Sequence, residues 1–198
     1  ESSLVTARFD GIGNLSGIGR AQGTLAVDVS DAQGTLDWLG WRQAYPDIKA
    51  ISLSGTILTR DDGIRLDDLT LDIDKLRASG AIELGRSANR SPKLSGTLAF
   101  SSLDLRALFL DAFRAPPEEQ AGGMTQALRH FDVDLRLSAD SASFGPLEAR
   151  HLGASLLAAN GRITVDIGDS EFEDGQMIAH FATTIDGRGT DLDITLRD

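Results

Sequence analysis

Cysteine is absent from this chain of 198 residues, which excludes disulfides and thiolate chemistry and leaves oxidising and reducing compartments equally open. Aromatic side chains are scarce, at 6%, so Leu, Ala, Ile and Val must supply most of whatever core the chain builds. Cations are outnumbered: 19 Lys and Arg face 30 Asp and Glu, a formal net charge of -11. Binding a phosphate backbone needs a field of positive charge, so this balance argues against nucleic acid as a partner. Also missing are an initiating Met, a signal-peptide pattern and any apolar run near the ~20 residues that cross a bilayer as a helix. The expectation from these gaps is a soluble segment of a longer protein, with any membrane anchor outside it. Length leaves the domain count open between one all-β domain and two small ones.

What the chain does have is alternation. Phe131, Val133, Leu135 and Leu137 alternate with Asp132, Asp134, Arg136 and Ser138, the period of a strand with one apolar and one wet face. Residues 155–158 and 162–167 flank Asn160-Gly161, a pair suited to the two positive-φ positions of a tight hairpin turn. Residues 177–185 and 192–196 continue the series around Asp186-Gly187-Arg188-Gly189. About five strands in an antiparallel meander are expected from residue 131 onward.

Upstream, residues 4–9, 24–29, 51–58, 64–66, 76–84 and 94–100 carry strand patterns as well. Gly11, Gly13, Gly17 and Gly19 have the look of a phosphate loop. A dinucleotide fingerprint opens a helix, however, and Gly23-Thr24-Leu25-Ala26-Val27 continues as a strand, so turns between edge strands are expected there. At Asp67-Asp68 the phase slips: Ile64 and Leu66 are even, while Leu69, Leu71 and Ile73 are odd. A turn or β-bulge must absorb that step if the apolar side chains are to share a face. Leu53-Ser54-Gly55-Thr56-Ile57 resembles Leu94-Ser95-Gly96-Thr97-Leu98, a weak internal repeat that suggests hairpin units stacked side by side.

Two stretches have helical spacing. Residues 35–43 place Leu36 and Leu39 on one side with a start at Gly34-Thr35; residues 103–113 place Leu105, Leu108, Phe109 and Ala112 on a stripe, with Asp104 as cap and Pro116-Pro117 as terminator. Residues 115–124, acidic and Gly-containing without periodicity, are expected to be a mobile linker. The chain is thus a single β-rich region, 1–198, with a division into halves 1–114 and 125–198 left open. Trp38 and Trp41 are expected to plug the end of the sheet; a stacking platform for a sugar or lipid headgroup is the alternative.

No reaction centre emerges from these residues. Acidic residues mostly alternate with apolar ones, which solvates the outer face, whereas general acid work needs a buried carboxyl with a shifted pKa. The tightest cluster, Asp166, Asp169, Glu171, Glu173 and Asp174, lacks the loop pattern of an EF-hand and is read as a solvated turn. His130, His151 and His180 have no metal-ligand partner at helical or hairpin spacing, so structural roles are expected. The reading is a non-enzyme with no catalytic residues, no metal and no cofactor.

The order of the phrases resembles the AsmA family of bacterial envelope proteins. The resemblance rests on Trp38-Leu39-Gly40-Trp41, the acidic-aliphatic run at 67–74, residues 78–84, residues 92–98 before Leu103-Asp104-Leu105, and the later series at 132–137, 152–156, 160–165, 172–175 and 192–196. It covers roughly residues 34–198. Phe172-Glu173-Asp174-Gly175-Gln176 departs from it where the family often has paired glycines. The resemblance implies a periplasmic segment of a protein held in the inner membrane by an N-terminal helix that this chain does not include. It also implies similarity to bridge-like proteins whose repeated β units form a long greasy groove for phospholipid on its way to the outer membrane. Family members are tied to outer-membrane assembly too. No motif of the family fixes a binding residue.

Both lines lead to a mainly β fold: an antiparallel meander of hairpins forming a curved, groove-like sheet with one or two short helices. Its apolar face is expected to hold phospholipid acyl chains, with envelope proteins as a second class of partner. Parity selects Val133, Leu135, Leu137, Leu156, Ile163, Val165, Ile167, Leu192, Ile194 and Leu196 as the lipid-facing residues, with Phe131 and Leu152 on the same side. The competing expectation is a structural or interaction module, folded on its own core, that assists outer-membrane protein assembly. Carbohydrate binding through the tryptophans is a third.

Overall fold

A computed structural model describes residues 5–14, 20–38, 48–86, 91–105, 132–172, 175–184 and 189–197. These form eleven strands in chain order: β1 (Val5–Asn14), β2 (Arg20–Val29), β3 (Ile51–Arg60), β4 (Gly63–Ile73), β5 (Leu76–Arg86), β6 (Pro92–Asp104), β7 (Asp132–Phe144), β8 (Leu147–Ala159), β9 (Arg162–Phe172), β10 (Gly175–Thr184) and β11 (Asp191–Arg197). They lie in one sheet, each strand beside its neighbour in sequence from β1 to β11. One helix, α1 (Ala32–Trp38), stands between β2 and β3.

Tight turns explain most of the order. Asn160 and Gly161 both have positive φ, 52° and 74°, and return β8 to β9 with Ala159 opposite Arg162, as the sequence leads one to expect. Gly145 (φ 65°) and Pro146 do the same between β7 and β8, with Phe144 opposite Leu147. Nine of the strand junctions are antiparallel. The exception is β6 with β7, which pair in parallel from Lys93–Asp132 to Asp104–Ser143. The expected antiparallel meander of hairpins is present as two meanders, β1–β6 and β7–β11, joined edge to edge by this one parallel pair. Alternation along a strand is the same in both pairing modes, so periodicity alone could not reveal the parallel junction. Residues 106–131, which include the expected linker and most of the second helical stretch, lie outside the described residues.

Three expectations about boundaries change. Two of the glycines read as turns are inside a strand: β1 continues through Gly11 and Gly13, and Gly11 sits opposite Gly23, where a Cβ on either would collide with the other strand's backbone; Gly17 and Gly19 lie outside the described residues. The first helix begins at Ala32 rather than Thr35, because Asp31 caps it, accepting from the Gly34 amide at 2.8 Å. An Asp carboxylate is a better N-cap than the Gly34-Thr35 start. Finally, the slip at Asp67-Asp68 is a β-bulge and no turn. β4 runs unbroken with Asp68 at φ 51°, and its register shifts against both β3 and β5 there.

A second set of irregularities lies across the later strands. The apolar phase changes between Phe100 and Leu103 in β6, Ala139 and Ala142 in β7, Ala149 and Leu152 in β8, and Ile167 and Ser170 in β9. The ladders skip residues at the same level, and β10 shifts register between Met177 and Ala179. His151 takes φ 51° at that level. Aligned bulges let several strands step together without turning their apolar residues to water. The buried cluster of Leu103, Ala139, Ala142, Leu152 and Ile167 is centred there, with Leu76, Phe100, Leu105, Ala154, Val165, Met177 and Ala179 against it.

Candidate functional site

Following partners from strand to strand assigns every described strand residue to one of two faces. One face carries Val5 and Phe9 of β1; Leu25 and Val27 of β2; Leu53 and Ile57 of β3; and Ile64, Leu66, Leu69, Leu71 and Ile73 of β4. It continues through Ile82 and Leu84 of β5 and Leu94, Leu98 and Phe100 of β6. The bulge at Asp68 is what keeps Ile64 and Leu66 on the same side as Leu71 and Ile73.

In the later half the register brings the sequence-selected residues into rows. Leu135 is opposite Leu156, Leu156 opposite Val165, Val165 opposite Phe181, and Phe181 opposite Leu192. A second row runs Leu137, Ala154, Ile167, Ala179, Ile194, and a third joins Val133 through Ala158 to Ile163. Leu196 sits opposite Met177. All ten selected residues therefore share one face, and Leu152 is on it as well. Phe131 lies outside the described residues.

Their exposure is graded across the sheet. Val133 and Ile167 are buried at 8% and 9%, while Leu192, Ile194 and Leu196 are 61%, 55% and 61% exposed. Leu135, Leu137, Leu156, Ile163 and Val165 fall between. At the other edge Val5 and Phe9 are exposed. The fully covered residues are mostly alanines, such as Ala78, Ala139, Ala142, Ala149 and Ala158. Taller neighbours on the same face are enough to cover an alanine; of the larger aliphatic side chains, Leu69, Leu103 and Leu152 are covered too, while many others keep their ends uncovered. In line with this, the chain leaves 13361 Å² accessible at 21.1 kDa, against roughly 9,000 Å² for a compact monomer of that mass.

Among the side chains described, none on this face is charged; by register Arg86, at the end of β5 opposite Pro92, falls on it. The polar side chains described there are Thr59, Ser170 and Thr183, and Ser170 donates to the Met177 carbonyl at 3.1 Å. The sequence reading confined its site to β7–β11 and missed the equivalent residues of β1–β6. The signal was present as the same alternation, disguised by the slip at Asp67-Asp68.

The opposite face is laced by ion pairs, most of them between neighbouring strands. Arg20 donates to Asp61 through Nε and Nη2 at 3.1 and 2.7 Å. That guanidinium, by hydrogen bond first and charge second, holds the Asp61 carboxyl below its usual pKa. Arg65 joins Asp67 at 2.9 Å and Glu83 at 3.8 Å, Arg77 joins Asp72 at 2.5 Å, and Lys93 joins Asp134 across the parallel junction at 2.8 Å. His180 Nδ1 lies 2.5 Å from Asp166 and His151 Nδ1 3.2 Å from Glu171. Two members of the acidic cluster are thus engaged by histidines of flanking strands, and none of the described His, Asp and Glu residues converge as a metal-holding group. The side chains of Trp38 and Trp41 are not among those described.

No family model, curated protein or solved structure matches this chain. The functional reading therefore rests on the two faces themselves. An uncharged, part-exposed aliphatic surface supplies area without polar groups to orient a ligand, so it suits flexible hydrocarbon better than a molecule needing directional contacts.

Proposed function

We propose that this chain is a non-enzymatic segment that binds phospholipid acyl chains on its apolar sheet face and passes them along it. One observation carries the reading: the face crosses all eleven strands with no charge among the side chains described on it, and many of its larger aliphatic side chains remain part-exposed. An apolar patch of that extent marks a ligand or partner surface. Each 100 Å² of acyl surface withdrawn from water contributes about 2.5 kcal/mol. The resemblance to AsmA envelope proteins supports a periplasmic setting, inner-membrane anchorage and a role in outer-membrane lipid supply.

A photo-crosslinking residue at Leu135 or Val165 is expected to capture acyl chains in cells, and one at Asp134, paired with Lys93 on the other face, to capture none. Leu135→Asp is expected to abolish capture at Val165 while far-UV circular dichroism stays unchanged. A second reading, a structural module that assists outer-membrane protein assembly, is favoured by the buried cluster around Leu103, Ala139, Ala142, Leu152 and Ile167. Crosslinks from Leu135 only to this chain, with no lipid recovered, would decide for that module.

A further inference from the structure

Strands β2 and β3 part at one end. Their ladder stops at Gln22–Leu58, although β1 and β2 stay paired as far as Asn14–Arg20 and β3 and β4 as far as Arg60–Gly63. Where the next backbone pair would stand, the Thr59 hydroxyl accepts from the Ala21 amide. A threonine side chain that takes a ladder hydrogen bond displaces the neighbouring backbone, and the tips of the two hairpins splay. Arg20 staples them across the gap, donating to Asp61 at 3.1 and 2.7 Å. Between the tips lies a hollow of about 880 Å³, within the roughly 300–1,000 Å³ usual for small-molecule sites.

The lining of this hollow joins the two faces of the sheet. Ala21 and Thr59 belong to the apolar face, and Arg20, Gln22 and Arg60 to the charged one. Arg60 and Asp62, also in the lining, are exposed and take part in no ion pair among the described residues. With Asp61 engaged by Arg20, the hollow presents one available cation and one available anion. We propose, building on the acyl-binding reading of the apolar face, that this hollow is the headgroup site of the same lipid and selects zwitterionic phospholipids, the phosphate on Arg60 and a primary ammonium on Asp62.

A guanidinium matches phosphate with two parallel hydrogen bonds, and a carboxylate accepts several N–H donors from an ammonium group. An anionic headgroup supplies the first contact and leaves Asp62 without a partner. The formal net charge of -11 further disfavours a ligand that is itself negative. Beside Thr59 on the apolar face stand Ile64 and then Leu84, each 41% exposed. They are the first aliphatic area that the acyl chains of a lipid held in the hollow reach.

Displacement of a bound hydrophobic dye from the full chain, using short-chain lipids of identical acyl composition below their micelle concentrations, tests the site. A phosphoethanolamine lipid is expected to displace the dye at roughly tenfold lower concentration than a phosphoglycerol lipid or a diacylglycerol without headgroup. Arg60→Gln should bring the phosphoethanolamine lipid level with the diacylglycerol, and Asp62→Asn should bring it level with the phosphoglycerol lipid. Both positions are exposed, and circular dichroism checks the fold. Phosphoethanolamine without acyl chains, followed by calorimetry, should bind at least roughly a hundredfold more weakly than the lipid, because it buries no hydrocarbon. Equal displacement by all three lipids, preference for the phosphoglycerol lipid, an unchanged ranking in either variant, or equally tight binding of chain-free phosphoethanolamine would each overturn the headgroup site and leave acyl binding standing. Failure of every lipid to displace the dye would remove the acyl-binding reading and the headgroup site together.

Discussion

Single residues here are constrained by backbone more than by chemistry. Gly80 and Gly96 have φ of 154° and 159°, and a methyl on either would overlap a carbonyl oxygen of the adjoining strand, that of Thr97 or Ala81. Gly161 (φ 74°) has open space around it. Gly161→Ala should therefore cost only the left-handed strain of about 1–2 kcal/mol, and Gly80→Ala distinctly more, as urea unfolding would measure. Gly55 and Gly96, the centres of the internal repeat, both sit where the neighbouring strand passes close, which gives that repeat a physical meaning. The Arg20–Asp61 pair makes a pH prediction. Asp61 titrates lower when folded than its ordinary 3.8, so its contribution is complete above that value and is lost as pH falls through the folded pKa. The pair is exposed and screened by salt. Thermal melts of the parent chain and Asp61→Asn should differ slightly at neutral pH and low salt, and converge as pH falls through the lowered folded pKa of Asp61.

Among the elements, β4 shows how one residue governs a strand. Asp68 in the left-handed region lets the alternation restart, and Asp tolerates that conformation better than most residues. Asp68→Gly should be neutral or stabilise by a few tenths of a kcal/mol up to about 1, and Asp68→Val should cost about 1–2 kcal/mol. Deleting Asp68 should be far worse, because it turns Ile64 and Leu66 to the polar face; loss of a cooperative urea transition would report it. The slip at Asp67-Asp68 was legible in advance because two aliphatic runs of opposite parity meet there. The bulges of β6–β9 were not, since Ser101-Ser102, Asp140-Ser141 and Gly168-Asp169 also read as ordinary polar positions of an alternating strand.

For the whole molecule, one face holds the charge and the other holds the hydrocarbon. The folded chain should accordingly bind an environment-sensitive hydrophobic dye without denaturant, with little salt dependence. Phospholipid or fatty acid should displace the dye in proportion to acyl length, at about 0.8 kcal/mol per buried methylene. Retention of dye in the presence of acyl chains would mean that the face has no room for them and acts as packed core.

Strand content, the Asn160-Gly161 hairpin and the shared face of Leu135, Leu156, Val165 and Leu192 were determined by the sequence alone, because alternation and turn chemistry act within a few residues of each other. The parallel seam between β6 and β7, the level at which four strands step together, and the grading of exposure from Ile167 to Leu196 were decided by the tertiary structure. Each depends on which strand lies beside which, and pairing across some forty residues leaves no periodic mark on the chain.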